Sequence, residues 1–117
     1  MRPWLVRLTA AAEADFEGIL RWTSEQFGPA QARVYAGTLS AALQSLAEGP
    51  KTIGAKSRDD IAKGVFMLHV ARKGRKGRHF ILFRIGNDKG RKAIEVLRLL
   101  HDAMDLVRHL TPNDKAG

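Results

Sequence analysis

The stretch RKGRKGRHFILFRI, residues 72–85, joins a basic, glycine-containing segment to an apolar run. Every position from Phe80 to Phe83 is apolar, so a strand here would be apolar on both faces, as in a central strand covered on both sides. The glycines and cations before this run are typical of a turn between strands. The stretch therefore predicts a β-hairpin whose second strand lies at the centre of a sheet.

Two further β-rich runs flank that strand, VFMLHVAR at residues 65–72 and KAIEVLRLL at residues 92–100. The turn-forming segments KGRKG and GNDKGR separate the runs, and two hairpins in succession form a three-stranded antiparallel meander. The preceding residues 51–64 are polar and rich in turn-forming residues. They are predicted to form a loop.

The N-terminal half has the apolar spacing of two helices. The short apolar stretch WLVRLT, residues 4–9, ends in Thr9, a good N-cap, and apolar residues then recur every three or four positions up to the Gly-Pro pair at 28–29. A second helix with the same spacing is predicted from there to the Gly-Pro pair at 49–50. We expect this helical hairpin to share one core with the sheet, formed by Phe16, Ile19, Leu39, Leu43, Phe80 and Leu82.

The C-terminal region completes the predicted fold. A short helix ending at residues 111–112 is indicated by apolar residues at positions i, i+3, i+4 and i+7, namely Ala103, Leu106, Val107 and Leu110. The 117 residues contain no internal repeat, which favours a single domain at 1–112 and a disordered tail at 113–117. The fold class is α+β, with an N-terminal strand, a helical hairpin, an antiparallel meander and a short C-terminal helix.

Composition narrows the possible functions. The chain has no cysteine and no apolar run long enough to span a bilayer, and its first residues lack the pattern of a signal peptide. We therefore expect a cytoplasmic protein with no membrane partner. The net charge is +8, with four Arg against five acidic residues in positions 1–50, so the surplus lies in the second half. A basic half is suited to an acidic partner, either nucleic acid or protein.

The strongest clustering of charge is at the turn of the first hairpin, in residues 72–78, which we call the basic tip. Its cations are Arg72, Lys73, Arg75, Lys76 and Arg78. Like charges that face each other across strands destabilise a sheet, so folding alone does not explain them. The two interpretations are a solvated loop and a binding surface for an acidic target.

Four side chains are candidates for RNA cleavage, which needs a proton acceptor, a proton donor and cations for the phosphorane charge. They are His79, His101, Arg84 and Arg98. The alternative is that the strand histidines His69 and His79 are structural residues whose ring nitrogens are hydrogen-bonded within the fold, and that both arginines form salt bridges.

A metal site at His101, Asp102, Asp105 and His109 is only weakly indicated, because Asp102 could equally stabilise a helix N-terminus. We expect no metal and no cofactor, and we place Trp4, Trp22, Phe16 and Phe27 in the core rather than on a base-stacking surface.

Several segments resemble the RelE/ParE superfamily of toxins from bacterial toxin–antitoxin modules, and most of all its ParE, or plasmid-stabilisation, branch. They are LTAAAEADFEGILRW, FGPAQARVYAGTLSAALQSLAEGP, GRHFILFRI and AIEVLRLLHDAMD, within residues 5–105. The resemblance implies a strand, a helical hairpin and a curled antiparallel sheet. This sequence departs from the family pattern at Phe66 and Met104, where arginine is common, and at Phe83, where tyrosine is common.

The resemblance implies a type II toxin that inhibits DNA gyrase by binding and is neutralised by a ParD-like antitoxin in a hetero-oligomer, with operator DNA bound only through the antitoxin. The missing tyrosine and arginines make a ribonuclease less favoured. Target contacts are then expected from the basic tip together with Arg98 and His101. The alternatives are a ribosome-dependent mRNA interferase that uses His101 and the strand arginines, and a non-toxic member that acts only in an autoregulatory complex.

Overall fold

The computed structural model describes residues 3–103, so the predicted C-terminal helix and the tail at 113–117 lie outside the described residues. The elements are β1 (Leu5–Leu8), α1 (Ala10–Phe27), α2 (Pro29–Ser45), a 3₁₀ helix (Leu46–Lys51), β2 (Lys56–Ser57), β3 (Val65–His69), β4 (His79–Asp88) and β5 (Arg91–His101). The strands form one sheet in the order β1-β5-β4-β3-β2. β1 is parallel to β5, and the other pairs are antiparallel. The predicted α+β class, helical hairpin and meander are confirmed.

Local sequence signals account for the helical hairpin. The Thr9 side chain accepts a hydrogen bond from the Ala12 N–H at 3.1 Å, which caps α1 as predicted. Gly28 ends α1 with φ 93°, a left-handed backbone conformation that favours glycine. Pro29 then begins α2, where its fixed φ suits the first helical turn. Within residues 3–103, no helix has both the length and the apolar character needed to cross a membrane.

The first hairpin differs from the prediction in two ways. β3 ends at His69 instead of residue 72, so the basic tip is a long loop and its two outer arginines do not face each other in the strand register. The loop passes close to α2 at Gly77, where an added Cβ would lie 2.8 Å from the Tyr35 hydroxyl oxygen. The predicted loop at 51–64 also contains β2, a two-residue strand that is too short to leave a periodic pattern.

The single predicted core is wrong, because the sheet is covered on both faces by separate clusters. The first cluster contains Leu39 and Leu43 of α2, Ile81 and Phe83 of β4, and Phe16 and Ile19 of α1 pack against it. The second cluster contains Ile61, Val65, Leu82 and Leu100, and Phe80 packs against it. Successive side chains of a strand point to opposite faces, which separates Phe80 and Leu82 from the helices.

The aromatic residues that were assigned to the core fall into two groups. Trp4 and Phe16 are partly buried and pack against the first cluster. Trp22 and Phe27, however, are 56% and 66% exposed, so their assignment to the core is wrong. They lie in the last two turns of α1, where the helix borders open cavities at the end of the sheet.

Candidate functional site

The candidate site lies at the end of the sheet where β4 begins and β5 ends. His79 and His101 are paired in the register of these strands, and their ring centroids are 5.3 Å apart. Tyr35 reaches the same place from α2, and His69 lies at the end of β3. Asp102 follows directly after β5. We call Tyr35, His69, His79, His101 and Asp102 the histidine cluster.

The surroundings of His79 keep its imidazole ring uncharged. The backbone N–H of Arg78 donates to the Tyr35 hydroxyl oxygen at 3.1 Å, and the hydroxyl shares a hydrogen bond of 2.7 Å with His79 Nδ1, in which the donor depends on the tautomer of the ring. Burial, and secondly the nearby His101, lower the pKa of His79 to about 4. Burial also raises the pKa of Tyr35. At neutral pH both side chains are therefore uncharged.

Asp102 connects β3, β5 and the basic tip. The N–H of Ala71 donates to His69 Nδ1, so His69 Nε2 carries a proton and donates to Asp102 at 3.0 Å. The Arg78 guanidinium also donates to Asp102, through Nε at 3.0 and 3.1 Å. The hydrogen bond from His69, followed by that from Arg78, lowers the pKa of Asp102. These bonds account for the position of Asp102, and within residues 3–103 no three His, Asp or Glu side chains are placed so that they could hold a metal ion together.

Arg98, in β5, lies at one side of the histidine cluster. A β-bulge places Leu82 opposite Arg98 and Phe83 opposite Val96. Beyond β1, Asp15 of α1 accepts from the Leu99 N–H at 2.9 Å and from Arg98 Nε at 2.7 Å. This hydrogen bond raises the pKa of Arg98. The helix thus caps the free edge of β5 and holds the guanidinium beside the histidine cluster.

Three of the four residues proposed for RNA cleavage come together, and one does not. His79, His101 and Arg98 line one cavity of about 380 Å³. Arg84 pairs in register with Glu95 and donates to its carboxylate at 2.6 Å. Arg84 is therefore a salt-bridged strand residue away from the cavity, which corrects its proposed place in the site.

The basic tip divides into anchored and exposed cations. Arg78 is bound to Asp102, and Arg72 Nη2 donates to the carbonyl oxygen of Ile53 at 2.8 Å. Lys73, Arg75 and Lys76 are exposed, and none of the three forms an ion pair with a carboxylate in the part of the chain that the structure describes. Among residues 3–103 these three have no ion pair to lose when they meet a target, although the Arg75 guanidinium lies against α2 near Gly37. Arg72 and Arg78 would have to share the contacts that they already make.

Sequence reasoning missed Tyr35 and Asp15. Tyr35 is the only tyrosine of the chain and falls on the apolar stripe of α2, so its position predicts packing and not a hydrogen bond to a strand 44 residues away. Asp15 lies between apolar residues of α1 and looks like one of several solvent-facing acids. Neither residue has a local signal for its role, because both partners come from distant segments.

The low pKa of His79 predicts how stability depends on pH. A histidine in the unfolded chain has a pKa near 6.5, whereas the pKa of His79 in the folded chain is about 4. Between these two pH values the unfolded chain therefore binds a proton at this residue and the folded chain does not. We expect the free energy of unfolding to fall as pH drops from 6.5 to 4, by about 1 kcal/mol after allowance for partial solvent screening. Denaturant titrations across this range should show it, and His79→Asn should flatten the profile. A profile unchanged in His79→Asn would contradict the assignment.

Comparison with known proteins is consistent with this architecture. The family model for the ParE toxin of the type II toxin–antitoxin system parDE matches residues 6–106. Toxin ParE of Escherichia coli is 33% identical over 103 residues, which are 88% of this chain and 89% of that protein. Toxin ParE1 of Mycobacterium tuberculosis is 34% identical over 103 residues, or 88% of this chain and 94% of that protein.

Solved structures show the same fold. The chromosomal ParDE toxin–antitoxin system from P. aeruginosa aligns with a TM-score of 0.67 at 20% identity, covering 84% of this chain and 95% of that chain. A YoeB/ParE toxin from Agrobacterium tumefaciens aligns with a TM-score of 0.55 at 12% identity, covering 83% and 96%. The family match spans nearly the whole described fold, including the histidine cluster. The chain therefore belongs to the ParE family of toxins of type II toxin–antitoxin systems.

Proposed function

We propose that this protein inhibits DNA gyrase by binding to it, without cleaving RNA, and that a cognate ParD-like antitoxin neutralises it. The observation that carries the proposal is the chemistry of the histidine cluster. A nuclease needs an acid and a base with pKa values near the working pH. Here the pKa of His79 is about 4, and the Asp102 carboxylate is already bound by His69 and Arg78.

The arrangement around the cluster is better suited to recognition than to proton transfer. Lys73, Arg75 and Lys76 project from a loop that is anchored at both ends through Arg72 and Arg78. Exposed cations on an anchored loop attract an acidic surface over a long range and add little to the stability of the free protein. Arg98 and His101 would then contact the target at the end of the sheet, beside the tip.

The antitoxin is inferred from family membership and charge. The related structure from P. aeruginosa is described as a ParDE toxin–antitoxin system. With a net charge of +8, this chain would be complemented by an acidic segment that folds on binding. Such a segment would cover the cations that the proposed gyrase contact needs, so binding of antitoxin and of gyrase would be mutually exclusive.

A pair of assays on the purified protein tests the proposal. We expect the protein to abolish supercoiling by gyrase in a dose-dependent manner and to leave mRNA on purified ribosomes intact, because His79 stays uncharged above about pH 4 and the Asp102 carboxylate is already bound by His69 and Arg78. An equimolar amount of the antitoxin should restore supercoiling. His101→Ala should reduce the inhibition only in part, since no proton transfer depends on it. Codon-specific mRNA cleavage that is lost in His101→Ala would instead identify an mRNA interferase and contradict the proposal.

A further inference from the structure

The end of α1 presents two aromatic rings to solvent beside the histidine cluster. Trp22 is 56% exposed and Phe27 is 66% exposed, and their ring centroids lie 5.9 Å apart at an interplanar angle of 73°. Exposing two large aromatic side chains side by side is unfavourable unless they bind something. Among the described residues 3–103 the fold does not bury either ring, and the proposed gyrase contact does not include them.

Trp22 lies between two neighbouring cavities. The first, of about 380 Å³, is lined on its other side by Ile19, Arg98 and Leu99. The second, of about 420 Å³, is lined by Phe27, Tyr35, Lys76 and Arg78. Trp22, His79 and His101 border both cavities. We call the two cavities together the aromatic groove.

The charges around the aromatic groove favour an anion that also carries planar rings. Lys76, which has no ion pair among residues 3–103, borders the second cavity. Arg78 also borders the second cavity and Arg98 borders the first, but each is already paired, with Asp102 and Asp15 respectively, so a phosphate would meet only their remaining N–H donors. Asp15 also borders the first cavity, but its carboxylate is occupied by Arg98 and the Leu99 N–H. Aromatic walls with a cationic rim are the features by which proteins bind single-stranded nucleic acid, because bases stack on the rings and phosphates meet the cations.

We propose that the aromatic groove binds single-stranded nucleic acid, with successive bases on either side of Trp22 and the intervening phosphates near Lys76 and Arg78. Each cavity is of the size that a small planar ligand fills. An acidic peptide would satisfy the cations but would leave the flat faces of the rings without a matching surface. Stacking and phosphate contacts do not read the sugar, so DNA and RNA should bind alike and with little sequence preference.

Fluorescence anisotropy with labelled octamers of deoxythymidine and of uridine tests this proposal. We expect both octamers to bind the full-length protein with similar affinity, and Trp22→Ala to weaken binding at least tenfold without changing the charge of the protein. The matched control is Val34→Ala, which removes another apolar side chain, 58% exposed, that lines neither cavity. The control should bind as the wild type does. Retained thermal midpoints would show that both variants are folded.

A second pair of variants separates the groove from non-specific attraction. Lys76→Ala should weaken binding and lower the salt dependence, whereas Lys63→Ala, an exposed lysine away from the groove, should have a smaller effect. Equal loss in both variants, or wild-type affinity in Trp22→Ala, would show binding by net charge alone and overturn the proposal. It would also be overturned if only RNA bound, or if an acidic peptide depended on Trp22 as strongly as the octamers do. Trp22 lies outside the proposed gyrase contact, so Trp22→Ala distinguishes failure of this proposal from failure of the gyrase proposal. Lys76 belongs to both surfaces, so its substitution does not separate the two.

Discussion

The Leu43→Asp variant should fail to fold. Leu43 is only 9% exposed and belongs to the cluster between α2 and the sheet, together with Leu39 and Phe83. The residues of that cluster are apolar, so none of them can pair with a carboxylate. Burial of an unpaired charge costs several kcal/mol, which is comparable with the total stability of a small domain, about 5–15 kcal/mol. Circular dichroism should show loss of helix at 25 °C, or a thermal midpoint lowered by tens of degrees.

The same substitution at an exposed position of the same helix controls for effects on α2 itself. Val34 is 58% exposed, so Val34→Asp places the new carboxylate in water and should change the free energy of unfolding by about 1 kcal/mol or less. The difference between the two variants therefore measures burial at residue 43. A Leu43→Asp protein with the wild-type thermal midpoint would show that α2 does not pack against the sheet in this orientation.

The sequence was sufficient to predict those structural features that depend on residues close to one another along the chain. Thr9 caps α1 and the Gly28-Pro29 pair separates the helices, because capping and left-handed turns are determined by the residues that adopt them. The meander could be predicted for a similar reason, since short turns place consecutive strands side by side. β1 and β5 come from the two ends of the described chain, and their parallel pairing could not be predicted because no local sequence pattern indicates it.

The division of the core could not be predicted, because β4 is apolar on both faces. Alternation shows that Ile81 and Phe83 share one face and that Phe80 and Leu82 share the other. It does not show which face the helices cover, since both sets are equally apolar. The same limit applies to Trp22 and Phe27. Periodicity identifies the apolar face of α1 but not the point at which the sheet no longer covers it.

The candidate site was predicted in part. His79, His101 and Arg98 could be placed near one another because their strands were expected to be neighbours. Their chemistry could not be predicted, because it depends on Tyr35 and Asp15, which come from the two helices. The burial of His79 and its hydrogen bond with Tyr35 change a candidate general base into a neutral structural residue. The pairing of Arg84 with Glu95 depends on the strand register, which the sequence leaves open.

Substitution of three cations in the basic tip should weaken the proposed inhibition of gyrase at least tenfold and leave the fold intact. Replacing all five would be a poorer test, because Arg72 and Arg78 hold the loop to Ile53 and Asp102. Lys73→Gln, Arg75→Gln and Lys76→Gln remove only exposed charges, and glutamine keeps a long side chain at residue 73, where φ is 52°. Surface charges contribute little to stability, so the free energy of unfolding should change by about 0.5 kcal/mol or less.

A control with the same change in net charge separates a local contact from general electrostatic attraction. Lys51, Lys56 and Lys63 are exposed lysines of the segment that precedes β3, outside the tip. If the tip itself contacts gyrase, the tip variant should need at least tenfold more protein to inhibit supercoiling, whereas the control should lose only the part due to long-range steering. Long-range steering weakens as salt is added, so the control should approach the wild type at high ionic strength while the tip variant stays at least tenfold weaker. Equal inhibition by the two variants would mean that the tip is a solvated loop, and the gyrase contact would have to lie elsewhere on the molecule.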